Sequence, residues 1–181
     1  LAVACQPNNP TGEAYDPDQL RAYADRCRAA GTPLLLDESF LPLTELDSLA
    51  GRPGVIAVRS LSAVAGLPGI RVAFLVATGA QLDRLDTGRL TWSVGTPGRE
   101  IGTYCMEHSS FLEETAARVR AERERMCNRL DSRFDVHPSD APFLLLELPA
   151  TESVDDLLST LREAGIAVRD ARTFRGLDRH V

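Results

Sequence analysis

The chain has no lysine: all twenty of its basic residues are arginines. Guanidinium stays protonated and cannot act as a primary amine, so no side chain here can condense with an aldehyde. Nor is there an excess of positive charge. Twenty basic against 26 acidic residues leave a net charge of −6, with both signs mixed along the chain, which argues against a nucleic-acid footprint. No apolar run approaches the roughly 20 residues that span a bilayer, and no secretory signal is visible. There is no Cys-x-x-Cys pair. The widely spaced Cys5, Cys27, Cys105 and Cys127 read as reduced, mostly buried thiols of a cytoplasmic protein rather than disulfides or metal ligands. His108 and His137 lack metal-ligand spacing, so surface or capping roles are expected and no metal set is assigned. The chain opens on Leu1 inside an apolar run, without an initiator Met, and closes on Arg179-His180-Val181. We expect either a longer polypeptide or a partner that completes it.

At 181 residues, 44% hydrophobic and 25% charged, the chain can build a soluble core of one domain or of one domain and part of another. Residues 1–5 read as a buried strand. The loop Gln6-Pro7-Asn8-Asn9-Pro10-Thr11-Gly12 is a rigid turn by its prolines and glycine. Asp16 caps a helix with Pro17 in its first position, Leu20, Tyr23, Ala24 and Cys27 on one face, and Gly31 at its end. Residues 33–37 form a continuous apolar strand closing on Asp37. Strand, helix, strand with both strands buried points to a parallel sheet, whose ligands gather at the strands' carboxyl ends. A third strand over 55–59 delivers Ser60, 72–77 resumes the sheet, and a short helix lies near 81–86.

From Pro97 to about Arg133 the pattern is helical, broken near His108-Ser109-Ser110. The Glu- and Arg-dense stretch 113–129 within it is a solvated face. Trp92 is expected to pack a domain junction or line a pocket. Beyond, 134–136 and 143–148 read as strands, 153–164 as a helix capped by Ser153, and 165–169 as a further strand. Together they make a small α/β unit.

The stretch Ser60-Leu61-Ser62-Ala63-Val64-Ala65-Gly66-Leu67-Pro68-Gly69-Ile70-Arg71 resembles the cofactor segment of the class I/II aminotransferases, the pyridoxal-phosphate enzymes of fold type I. Asn8-Asn9-Pro10-Thr11-Gly12 and Asp37-Glu38-Ser39-Phe40 resemble two further motifs of that family, in the family's order. The resemblance implies an α/β fold: part of the large domain with its mostly parallel sheet (1–96), an interdomain helical segment (97–133), and an incomplete small C-terminal α/β domain (134–181). It implies that Asn9 bonds the cofactor's phenolic oxygen, Asp37 pairs with the pyridine nitrogen, and Ser60, Ser62 and Arg71 hold the phosphate. Ala63 stands where the family carries the lysine that forms the Schiff base, so no catalytic residue is assigned. Pyridoxal phosphate or its amine form is then held non-covalently at most.

The tail from Val168 to Asp178 looks most like threonine-phosphate decarboxylase, an enzyme of cobalamin biosynthesis, while histidinol-phosphate aminotransferase shares the Val-Arg-Asp start. By that match Arg169 contacts an anionic group of a phosphorylated amino acid or amino alcohol. Its other reading is a surface ion pair with Asp170. Two functions of different class follow: a decarboxylase- or transaminase-like protein impaired at Ala63, or a non-catalytic pseudoenzyme acting as a scaffold or supporting subunit. The resemblance implies a homodimer or a complementing chain, since a piece beginning mid-sheet leaves strand edges and apolar faces bare.

Overall fold

A computed structural model describes all 181 residues. Its centre is a four-stranded sheet in the order β1 (Ala2–Cys5), β2 (Leu34–Asp37), β3 (Val55–Ser60), β4 (Ala73–Val76). The first three are parallel, with Cys5 opposite Asp37 and Asp37 opposite Val58. β4 runs antiparallel to β3 and pairs Ala73 with Ser60. The mostly parallel α/β sheet read from the sequence is therefore present.

Helix α1 (Pro17–Ala29) crosses between β1 and β2. The Asp16 carboxylate accepts from the backbone N–H groups of Asp18 and Gln19, and Gly31 turns the chain at a φ of +66°. Leu20, Ala24 and Cys27 on this helix pack with Leu34, Leu36, Leu49 and Val55 to form the core. Tyr23 was expected on the same face but is more than a third exposed, because the stripe is only as wide as the sheet beneath it.

After β3 comes a single turn, α2 (Leu61–Val64), and after β4 a short helix, α3 (Gly79–Asp86). The long helical stretch is two helices, α4 (Thr96–Glu107) and α5 (Ser110–Leu130), parted at His108 and Ser109 as the sequence indicated. A two-stranded antiparallel pair follows, β5 (Asp135–Val136) with β6 (Leu146–Glu147), and then α6 (Val154–Glu163), capped by Ser153. The expected strand over 143–148 shortens to two paired residues. The strand expected over 165–169 does not form: all five residues are exposed, Ile166 and Val168 among them, with no ladder partner. No helix is long and apolar enough to cross a membrane.

The sheet and the later elements touch at several points. Asp140 N–H donates to Gly12 O at 2.8 Å. Gly12 sits at a φ of +80°, and a Cβ there would lie 2.7 Å from Ser139 Cβ, so only glycine fits. Phe40 meets Phe143 edge to face at 5.3 Å. Arg123 on α5 donates to the carbonyls of Asp140 and Ala141. Trp92 contradicts its expected packing role: it is 93% exposed and packs no junction.

Candidate functional site

Three parallel strands end on the same edge of the sheet, and each hands over a polar residue there. β1 leads into the loop carrying Asn9, β2 ends on Asp37 and β3 on Ser60. Asp37 lies opposite Val58, two residues before Ser60. With about 4.8 Å between strands and about 3.3 Å per residue, the Asp37 and Ser60 Cα atoms stand about 8 Å apart.

Cys5 lies opposite Asp37 in the sheet and its thiol donates to Pro7 O at 3.2 Å. Burial, and secondly the negative charge of Asp37, push the Cys5 thiol up from its ordinary pKa, while a hydrogen bond with the Asn9 backbone pulls it back. The Asp37 carboxylate also accepts from Ser39 N–H at 2.9 Å. Gln6, where the family pattern has Asn, is nearly fully buried. Its amide oxygen accepts from Tyr15 N–H and its amide donates to Tyr15 O, which pins the loop that presents Asn9. The side chain of Asn9 itself is exposed and unpaired.

The second cluster lies on α2 and the loop after it. Ser60 Oγ accepts from Ser62 N–H at 3.2 Å, which caps α2 and leaves the Ser60 hydroxyl proton free. Ser62 is buried and its proton is spent on Ile70 O at 3.1 Å. Arg71 donates through one nitrogen to Pro68 O at 3.1 Å and to Ser62 Oγ at 3.5 Å, and no carboxylate lies within ion-pair range of it. Ser62 thus orients Arg71, and Ser60 and Arg71 are the groups with donors to spare. Ala63 is exposed on the same turn, between the buried Ser62 and Val64.

Arg169 joins Asn9 rather than Asp170. A cavity of about 440 Å³ is walled by Asn9, Phe40, Phe143, Arg169 and Phe174, among others. The Arg169 guanidinium lies over the Phe174 ring at 5.6 Å and reaches Thr173 Oγ1 at 3.4 Å. Asp170 pairs with Arg172 instead, so the surface ion pair that was the other reading of Arg169 is not formed. A wider cleft of about 900 Å³ between β4 and α3 is lined by Asp83, Arg84, Asp86 and Arg89 and by none of Asn9, Asp37, Ser60, Arg71 or Arg169.

The motif residue Glu38 has a different task. It is fully buried and accepts from Ser48 O–H, Leu49 N–H and two nitrogens of Arg59 at 2.6–3.1 Å. It thereby fixes the loop that follows Asp37. The sequence reading also left His137 as a surface or capping residue. In the structure it is half-buried, with its Nε2 3.2 Å from that of His180. No spacing rule finds this pair, which forms only through the pairing of residues 146–148 with 179–181.

Could these residues hold a phosphorylated pyridine? The donor set fits non-covalently: a guanidinium and a hydroxyl with protons to give, a carboxylate whose Cα stands about 8 Å from that of Ser60, and an uncharged amide. It offers no amine for a covalent bond.

Comparison with known proteins identifies the family. The model of the family described as aminotransferase class I and II matches residues 1–178. The chain is 30% identical over 182 residues to the threonine-phosphate decarboxylase of Salmonella typhimurium, covering 96% of this chain and 50% of that protein. It is 25% identical over 181 residues to histidinol-phosphate aminotransferase 1 of Archaeoglobus fulgidus, covering all of this chain and 54% of the relative. The chain therefore spans about half the length of these relatives. The crystal structure of the L-threonine-O-3-phosphate decarboxylase from Porphyromonas gingivalis superposes with a TM-score of 0.87 at 26% identity, over 99% of this chain and 57% of that one. By its sequence along almost its whole length and by its fold, the chain belongs to the aminotransferase class I and II family.

Proposed function

We propose that this chain forms the carboxyl-terminal half of a pyridoxal-phosphate site of the threonine-phosphate decarboxylase kind, and that it holds the cofactor without a covalent anchor. The observation that carries this is the delivery of Asn9, Asp37 and Ser60 with Arg71 to one edge of the parallel sheet, where Asn9 also lines a cavity with Arg169. The cofactor, when bound, supplies an electron sink for a substrate carbanion. The residues of the chain bind and orient. Arg71 and Ser60 give hydrogen bonds to the phosphate, with Ser62 holding the guanidinium in place. Asp37 holds a proton at the ring nitrogen, and Asn9 donates to the phenolic oxygen without adding charge. Arg169, free of any carboxylate partner, takes the anionic group of a phosphorylated substrate.

Ala63 removes the covalent anchor and the base for the substrate's α proton, each worth orders of magnitude in rate. Activity is accordingly lost or impaired. The division into a large-domain part (1–96), helical connector (97–133) and small α/β domain (134–181) belongs to the same proposal. It is supported by a first sheet that ends at Val76 and a separate strand pair after α5. A homodimer or complementing chain is part of it as well, supported by the bare apolar residues Leu1, Val3, Leu90 and Trp92. The histidinol-phosphate aminotransferase reading uses the same residues and differs only in the substrate at Arg169.

The test is restoration of the amine. Wild-type protein should bind pyridoxal phosphate reversibly, lose it on dialysis, and gain no mass after borohydride. Ala63→Lys should retain the cofactor through dialysis and gain its mass on reduction, and Arg71→Ala should weaken binding at least about tenfold in both backgrounds. Turnover of phosphothreonine or histidinol phosphate by Ala63→Lys identifies the substrate. Retention without turnover of either supports the pseudoenzyme. Failure of both proteins to bind the cofactor overturns the proposal.

A further inference from the structure

Outside the candidate site, three potential ligands converge where none was expected. His137 follows β5, Glu147 ends β6, and His180 lies on the segment that bridges to Glu147 in antiparallel register. One ligand atom from each falls within 4.8 Å of the others. The two Nε2 atoms are 3.2 Å apart, and His180 Nε2 is 3.9 Å from Glu147 Oε2. His180 is only 8% exposed.

Two imidazole nitrogens facing each other at this distance share at most one proton. A first-row divalent cation satisfies both lone pairs at once. With metal–nitrogen bonds of about 2.0–2.1 Å, tetrahedral geometry sets nitrogen to nitrogen at about 3.3–3.4 Å, close to the separation present. The carboxylate has to close on His180 by about half an ångström and on His137 by up to about 1.5 Å to reach the same spacing. We propose that His137, Glu147 and His180 form a binding site for a divalent first-row cation such as Zn²⁺, with at least one coordination position left for water.

The site is independent of the cofactor reading. Its three ligands tie the 179–181 segment to β6, where Leu146 N–H donates to Val181 O and Val181 N–H to Leu146 O. Val181 also lines the cavity that holds Asn9 and Arg169. The cation is thus a clip on one wall of that cavity. Two features limit its affinity. Arg179 holds the other oxygen of Glu147 and repels a dication. His180 Nδ1, which must carry the proton when Nε2 binds the ion, is buried without an acceptor. Micromolar rather than nanomolar binding is expected.

The test is titration of the untagged whole chain with Zn²⁺ and with Co²⁺. One equivalent should bind in the micromolar range, raise the Tm and slow hydrogen exchange at Leu146 and Val181. His137→Ala and Glu147→Gln should each weaken binding by at least about tenfold, and Arg179→Gln should tighten it severalfold. Circular dichroism of each variant establishes that it is folded, and the gain from Arg179→Gln cannot arise from misfolding. The chain carries four free cysteines, so Co²⁺ spectra are needed: imidazole and carboxylate ligation gives no intense thiolate charge-transfer band. A thiolate band, equal binding by the variants, or no binding by folded wild type overturns the site.

Discussion

At the scale of single residues, the candidate site depends on where the Asp37 carboxylate points, and Cys5 reports on this without any cofactor. Its thiol is held above its ordinary pKa by burial first and by the Asp37 charge second. Alkylation proceeds through the thiolate, so the raised pKa slows it. Removing the charge with Asp37→Asn lowers the thiol pKa. The rate of Cys5 alkylation near pH 8 should then rise severalfold, while the buried Cys27 and Cys105 keep their rates. Peptide-resolved mass spectrometry measures each thiol separately, and an unchanged Cys5 rate shows that the carboxylate points elsewhere. Asp37 and Ser60 were legible in the sequence because each ends an apolar run, whereas β1, which precedes Asn9 and was expected to be buried, is an edge strand with Val3 exposed. What was illegible is how their protons are shared. Ser60 and Ser62 look alike in the sequence, yet the Ser62 proton belongs to Ile70 O and only Ser60 has one to give.

At the scale of elements, local signals were read well and non-local ones poorly. Asp16, Ser153 and the break at His108 act through bonds within a few residues, so the sequence specifies them. The stretch 165–169 alternates like a strand, but a strand exists only where another backbone pairs with it, and none does here. Residues 179–181 pair by backbone with 146–148, and side chains hold the segment around Asp170. Arg172 donates to Asp170, just before the 3₁₀ turn Ala171–Thr173, and to Asp155 in the first turn of α6. Hydrogen bonds from Arg172 are the main cause that lowers the pKa of both aspartates below their ordinary value. A carboxylate with a depressed folded-state pKa adds stability above its unfolded pKa and loses it as pH falls through the folded value. Arg172→Gln should therefore be less stable than wild type at neutral pH. The difference should persist down to the ordinary aspartate range and close in stronger acid. Because these groups are solvent-exposed, added salt should shrink it. Urea titrations at several pH values measure this, and a gap that widens in acid contradicts the pairing of Arg172 with Asp155 and Asp170.

At the scale of the molecule, the chain exposes more surface than its mass requires. A compact monomer of 19.7 kDa exposes about 8,600 Å², whereas this chain exposes 11537 Å². The surplus exceeds what one partner contributes to an ordinary protein–protein interface, about 800 Å². Part of it is apolar and contiguous with the sheet: β1 is an edge strand with Val3 65% exposed, and Leu1 beside it is 76% exposed. An uncovered edge of this kind pairs with whatever strand it meets. Trp92, the only tryptophan, is 93% exposed and so reads out what happens. In dilute solution its emission should lie at the water-exposed limit, and unfolding of the isolated chain should be broad. As concentration rises, or when a completing partner is added, sedimentation should reveal association and the emission should shift to the blue as the indole is covered. Cooperative unfolding of a monodisperse monomer, with Trp92 emission fixed at every concentration, means that the chain buries this surface by itself.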